Sequence, residues 1–235
     1  MGPATLVLPE LLDRPSVEAL RVELAAARDG DAIILAGADD RFCLGMEFES
    51  AASGLQADML RVDLQSFACF LRDLLTAPRP TLALVDGAAL GGGLGLAAAC
   101  DFVLATGRSS FGLPEALYGL APAIIRPALL TRLTAQRLNM LLFTCHARGA
   151  EEALALGLVD RIVPPGELQQ VAREILRQFR RARSQTVIAA RRWNSAAIAE
   201  ALDAGVAETG AALASETVIA ALRAAASEEE LPWTR

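Results

Sequence analysis

The chain has 235 residues, 53% of them hydrophobic, with a net charge of −6 and 22 basic residues that are all arginine. That length buries a core of ordinary size without a second domain, and the acidic balance argues against a phosphate-tracking groove for nucleic acid. No apolar run reaches the ~20 residues of a membrane span, and no secretory leader is expected. Cys43, Cys69, Cys100 and Cys145 have no CxxC spacing, so neither a metal site nor a disulfide framework is expected, and a cytoplasmic location fits best.

In chain order, TLVL (5–8) is a short strand candidate, and SVEALRVELAAARD (16–29) sets Val17, Leu20 and Leu24 at helical spacing. DAIILAG (31–37) reads as a buried strand after the Asp29-Gly30 turn. A long amphipathic helix is predicted over 55–76, with Leu60, Leu64, Phe67, Leu71 and Leu74 on one face, stopped by APRP. TLALVDG (81–87) is the next strand, followed by a glycine run, a helix over 92–100 and the strand FVLAT (102–106). Beyond a loop-rich stretch (109–122), 127–143 is helical and 149–164 reads as short helix, turn and strand. From 166 to 230 the pattern is helical, broken at RSQT. The fold class is α/β, with a core over 1–165 and a helical C-terminal region over 166–235. Arg177, Arg180, Arg181, Arg183, Arg191 and Arg192 read as a solvated helix face.

The segment DGAALGGGLGLAAACD (86–101) holds Gly91, Gly92, Gly93 and Gly95. Glycine is about 1 kcal/mol worse than alanine within a helix, so the run marks a close approach to the backbone. It lacks the GxGxxG spacing of a dinucleotide turn, and a chain without lysine has no Walker loop. A strand, a glycine-rich turn and a helix start in sequence present unpaired N–H groups and the positive end of a helix dipole. IILAGADDRFCLGMEFES (33–50) likewise ends a strand in a loop, with Gly45 at its tight point. Two such loops can each aim one N–H at a single carbonyl oxygen, which is the geometry of an oxyanion hole.

These stretches resemble the crotonase superfamily, the enoyl-CoA hydratase/isomerase family. RFCLG, VDGAALGGGLGLAAACDFVLA, FGLPEALYGLAP and ARGAEEALALGLVDRIVP stand in the family's order over about residues 33 to 164. The resemblance implies a spiral of ββα units whose helical C-terminal region mediates homotrimers or dimers of trimers. It also implies substrates carried as thioesters on CoA or on the phosphopantetheine of an acyl carrier protein, with no further cofactor. By position, the Met46 and Gly92 N–H groups hold the thioester oxygen. Leu44, Gly91, Leu113, Pro114 and Tyr118 flank the substrate, and Arg126 is the candidate cation for a distal carboxylate.

Gly95 stands where hydratases of this family commonly have a glutamate, whereas the second family glutamate is kept as Glu115. One carboxylate above an enolate-stabilising hole removes a proton α to a thioester, and a dry pocket raises its pKa toward the working pH. FCLGMEFE, the Gly-Leu-Gly replacement, LYGLAPAIIRPALLTRL and the terminal ELPW further resemble the dehydratases of polyketide β-branching cassettes. Those enzymes convert 3-hydroxy-3-methylglutaryl on an acyl carrier protein to the 3-methylglutaconyl thioester. Departure of the hydroxyl then needs help from Glu115 itself, a water or Tyr118. The alternatives are a single-glutamate double-bond isomerase and a catalytically silent scaffold, the latter opposed by the joint presence of Glu115 and both loops. Glu47 and His146 are expected to be structural, and the family's usual first strand is expected to be absent.

Overall fold

A computed structural model describes residues 2–27, 30–38, 40–47, 57–195 and 198–227; the last two residues of FCLGMEFE and the ELPW terminus lie outside them. The chain begins with β1 (Ala4–Leu8) and α1 (Arg14–Ala26). The Asp13 carboxylate accepts from the Ser16 N–H, and the Ser16 hydroxyl accepts from the Asp13 N–H. This reciprocal cap starts α1, with Pro15 in the first turn where its missing N–H costs nothing.

Strand, strand and helix then recur. β2 (Ile33–Gly37) and β3 (Arg41–Cys43) precede α2 (Ala57–Leu75), while β4 (Thr81–Val85) and β5 (Ala88–Leu90) precede α3 (Gly92–Ala99). β6 (Phe102–Thr106) and β7 (Ser110–Gly112) precede a 3-10 turn (Pro114–Tyr118) and α4 (Arg126–Leu129). There follow α5 (Ala135–Thr144), β8 (Arg148–Gly149), α6 (Ala150–Leu156) and β9 (Arg161–Val163). The chain closes with α7 (Leu168–Phe179), α8 (Ser184–Ser195), α9 (Ile198–Leu213) and α10 (Glu216–Ala226).

β1, β2, β4 and β6 join a five-stranded parallel sheet that β9 completes, β1-β2-β4-β6-β9, and β3, β5 and β7 join a four-stranded sheet, β3-β5-β7-β8, whose last strand is antiparallel. In the larger sheet, successive residues serve opposite faces. Ile33, Leu35, Ala83, Val85 and Val103 enter the main core, whereas Ile34, Leu82, Leu84 and Leu104 enter a second cluster. That second face is covered by α7 through Leu168, Val171, Ala172, Ile175 and Leu176, an apolar stripe at helical spacing. Both faces of the parallel sheet are therefore buried at its centre, while β1 at the edge leaves Thr5 and Val7 exposed. α9 lies along α2, and α10 reaches the 3-10 turn.

The helix expected over 127–143 is two helices, because Thr134 starts α5 anew by accepting from the Arg137 N–H. Arg191 does not belong to a solvated face: it is 7% exposed. Its guanidinium donates to the carbonyls of Leu74, Leu75 and Ala77 and to the Thr81 hydroxyl and pairs with Asp101, fastening α8 to the end of α2 and the starts of β4 and β6. No helix among the described residues is long and apolar enough to cross a membrane.

Candidate active site

The glycine run contacts a different neighbour at almost every residue. Gly91, at φ +50, ends β5; a Cβ there would stand 2.9 Å from Glu115 Oε1. One on Gly93 would strike the Cys43 carbonyl of β3 at 2.1 Å, and one on Gly95 would meet Ile125 Cγ2 at 2.3 Å. Gly45, at φ +99, brings the 44–47 loop against the start of α3, since its Cβ would lie 2.9 Å from the Gly92 nitrogen. Bare backbone is thus what lets β3, α3 and the Glu115 turn converge.

Two N–H groups are left at this junction. Leu44 and Glu47 donate to the carbonyls of Glu10 and Leu12, which pins the loop, but the Met46 N–H between them has no acceptor among the described residues. Gly92 opens α3, and the N–H groups of a first helical turn have no intrahelical acceptor. The position a Cβ on Gly92 would take is 3.5 Å from the Met46 nitrogen, so the two groups sit side by side.

Glu115 is carried by the 3-10 turn, which ends at Gly119 in the left-handed conformation. Its Oε2 is buried and has no hydrogen-bond partner among the described residues. Desolvation, opposed weakly by the residue's own backbone N–H, pushes its pKa from 4.5 to about 7.

Two cavities meet at these groups. An inner cavity of about 40 Å³ is walled by Leu64 and Phe67 of α2, by residues 120–125 and by Thr209 of α9. An outer cleft of about 390 Å³ runs past Leu44, Leu90, Pro114 and Tyr118 and under Leu222 and Ala225 of α10. Met46, Gly92 and Glu115 line both and so form the neck between them. A thioester oxygen at the neck would face two N–H donors, with a carboxylate poised beside the α carbon.

Of the residues picked from sequence, Leu44, Gly91, Pro114 and Tyr118 line the outer cleft with this trio. Leu113 lines neither cavity and is fully buried in the main core. Arg126 is exposed and also lines neither, because at the first position of α4 it points away from the buried face of Ala128 and Leu129. His146 is exposed outside the site. Ile125, Thr209 and Leu222 were not singled out and Phe67 was read only as part of an apolar helix face, since a residue facing a small cavity has the same periodicity as one facing solid core.

Over residues 15–223 the sequence matches the enoyl-CoA hydratase/isomerase family. It is 34% identical over 188 residues to a carnitinyl-CoA dehydratase of Proteus mirabilis, covering 74% of this chain and 70% of that protein. The backbone is similar to an enoyl-CoA hydratase from Mycobacterium avium, with a TM-score of 0.86 and 27% identity, covering 99% of this chain and 94% of the other. A polyketide-biosynthesis enoyl-CoA hydratase from Bacillus subtilis has a TM-score of 0.83 over 97% of this chain and 95% of its own, but at 20% identity that likeness is one of fold alone. The chain belongs to the enoyl-CoA hydratase/isomerase family, and its fold is the crotonase fold.

Proposed function

We propose that this member of the enoyl-CoA hydratase/isomerase family is a lyase that removes water from a short β-hydroxyacyl thioester, with Glu115 as its base. The observation that carries the reading is the neck, where a carboxyl with a pKa of about 7 and two free N–H groups line the same constriction. The thioester oxygen takes the N–H groups of Met46 and Gly92, and these stabilise the enolate formed when Glu115 removes the α proton. The enolate electrons form the Cα–Cβ double bond as the β C–O bond breaks. Glu115 returns its proton to the departing oxygen, completing water. The name borne by the Proteus relative, a dehydratase, supports this direction.

One carboxylate has to serve both ends of the reaction, because Ile125 occupies the space a side chain at Gly95 would need. The same fact favours a second reading, a double-bond isomerase, which needs one base and no leaving hydroxyl. The closer sequence resemblance nominates 3-hydroxy-3-methylglutaryl on an acyl carrier protein. No described residue lining either cavity is a cation, so a neutral acyl group such as 3-hydroxybutyryl is the better fit. Trimeric assembly is proposed on the family resemblance.

Intact-mass spectrometry of both acyl groups, each on pantetheine, CoA and carrier protein, tests the reading. A product lighter by one water supports it. Unchanged mass with a migrated double bond on an enoyl substrate supports the isomerase instead.

A further inference from the structure

Besides Glu115, the inner cavity is lined by one other polar residue among those described, Thr209. Thr209 Oγ1 is buried, with the residue only 7% exposed, and it has no hydrogen-bond partner among the described residues. Buried hydroxyls in folded proteins are nearly always paired, and a threonine within a helix commonly donates to the carbonyl one turn back. Thr209 does neither.

Its position is set by an unusually close contact. Gly205 lies one turn earlier on the same face of α9, and a Cβ there would stand 2.6 Å from the Ala123 carbonyl oxygen and 2.8 Å from the Ile124 nitrogen. Only a bare glycine lets α9 press onto the 121–125 segment this tightly. The next turn then places Thr209 in the cavity wall with Ile124 and Ile125.

An acyl chain with its C1 oxygen at Met46 and Gly92 and its α carbon at Glu115 extends its β carbon into this cavity. The other side chains there, Leu64, Phe67, Leu120, Ile124 and Ile125 among them, are apolar. Resting on the dehydration reading above, we propose that the Thr209 hydroxyl donates a hydrogen bond to the β-oxygen of the substrate and holds it for departure. As the β C–O bond breaks, its electron pair goes to that oxygen and the proton taken by Glu115 completes water. Thr209 keeps its own proton and stabilises the charge building on the oxygen. The contact also makes Thr209 a specificity residue, distinguishing a β-hydroxyacyl from an unsubstituted acyl thioester.

The test compares Thr209→Val, which removes the hydroxyl at nearly constant volume, with Thr209→Ser, which keeps it. Three quantities are read in the full-length protein: water loss from 3-hydroxybutyryl-pantetheine, deuterium uptake at its α carbon, and the affinity for it relative to butyryl-pantetheine. The valine variant is expected to slow water loss by about ten- to a hundredfold, the range for a hydrogen bond to a charged group. Its α exchange should persist, its preference for the hydroxylated ligand should vanish, and serine should restore both. Melting temperature should hold or rise, because an unpaired buried hydroxyl is removed. Unchanged water loss and preference in the valine variant would overturn the assignment, as would equal losses of exchange and elimination. If the wild type exchanges its α proton and prefers the hydroxylated ligand through Thr209 yet never releases water, the contact stands and the dehydration reading fails.

Discussion

A carboxyl that titrates at about 7 in the folded chain, against 4.5 for the free side chain, is about half ionised near neutrality. With Glu115 as the proposed base, which must be ionised to act, kcat/KM is expected to rise with pH up to about 7 and level off above it, as a pH–rate profile would show. Stability runs the other way. Between 4.5 and about 7 the folded state binds more protons than the unfolded state, so stability falls as pH rises across that window. The cost is absent below 4.5, complete above about 7 and on the order of 3 kcal/mol. Glu115→Gln should therefore lower turnover by about 10²–10⁴-fold. In urea titrations it should be more stable than wild type at pH 8 and gain little at pH 5. Glu115, Met46 and Gly92 were nameable as a group only through the resemblance to the crotonase superfamily, whose motifs stand in order along this chain. Thr209 was not: one hydroxyl in an alanine-rich helix leaves no mark in the pattern, and its partnerless burial is visible only in three dimensions.

The elements around the site are held at spacings that tolerate no added atom. Gly95→Ala places its Cβ 2.3 Å from Ile125 Cγ2 and 2.5 Å from Ile125 Cβ. Overpacking of that kind costs about 1–3 kcal/mol, and Ile125→Ala in the same chain should recover most of it. A double-mutant cycle in denaturant measures the coupling, and strictly additive effects would show that the contact is not the source. The larger sheet and the long helices could be read directly, since buried runs such as TLALV and the stripe of 55–76 carry strong periodicity. The second sheet could not. β3, β5 and β7 have three residues each and β8 two, too few for alternation to register, and their presence rested on the resemblance to a ββα spiral.

At the scale of the whole molecule, the C-terminal helices complete the site rather than standing apart from it. α7 seals the second face of the parallel sheet, α9 walls the inner cavity and α10 covers the outer cleft. The buried Arg191 ties this region to the core, and sequence alone did not separate it from its exposed neighbours because charge runs carry no burial signal. Arg191→Met strips the donor from Asp101 and from the carbonyls at the end of α2. It should cost about 3 kcal/mol and lower Tm by roughly 6–12 °C in thermal unfolding. The central claim is that Glu115 removes an α proton above the Met46 and Gly92 N–H groups. Its most direct test is deuterium uptake at the α carbon of 3-hydroxybutyryl-pantetheine in D2O, comparing wild type with Glu115→Gln. Uptake in the wild type and none in the variant is the result expected; equal uptake in both would contradict the assignment of Glu115 as the base.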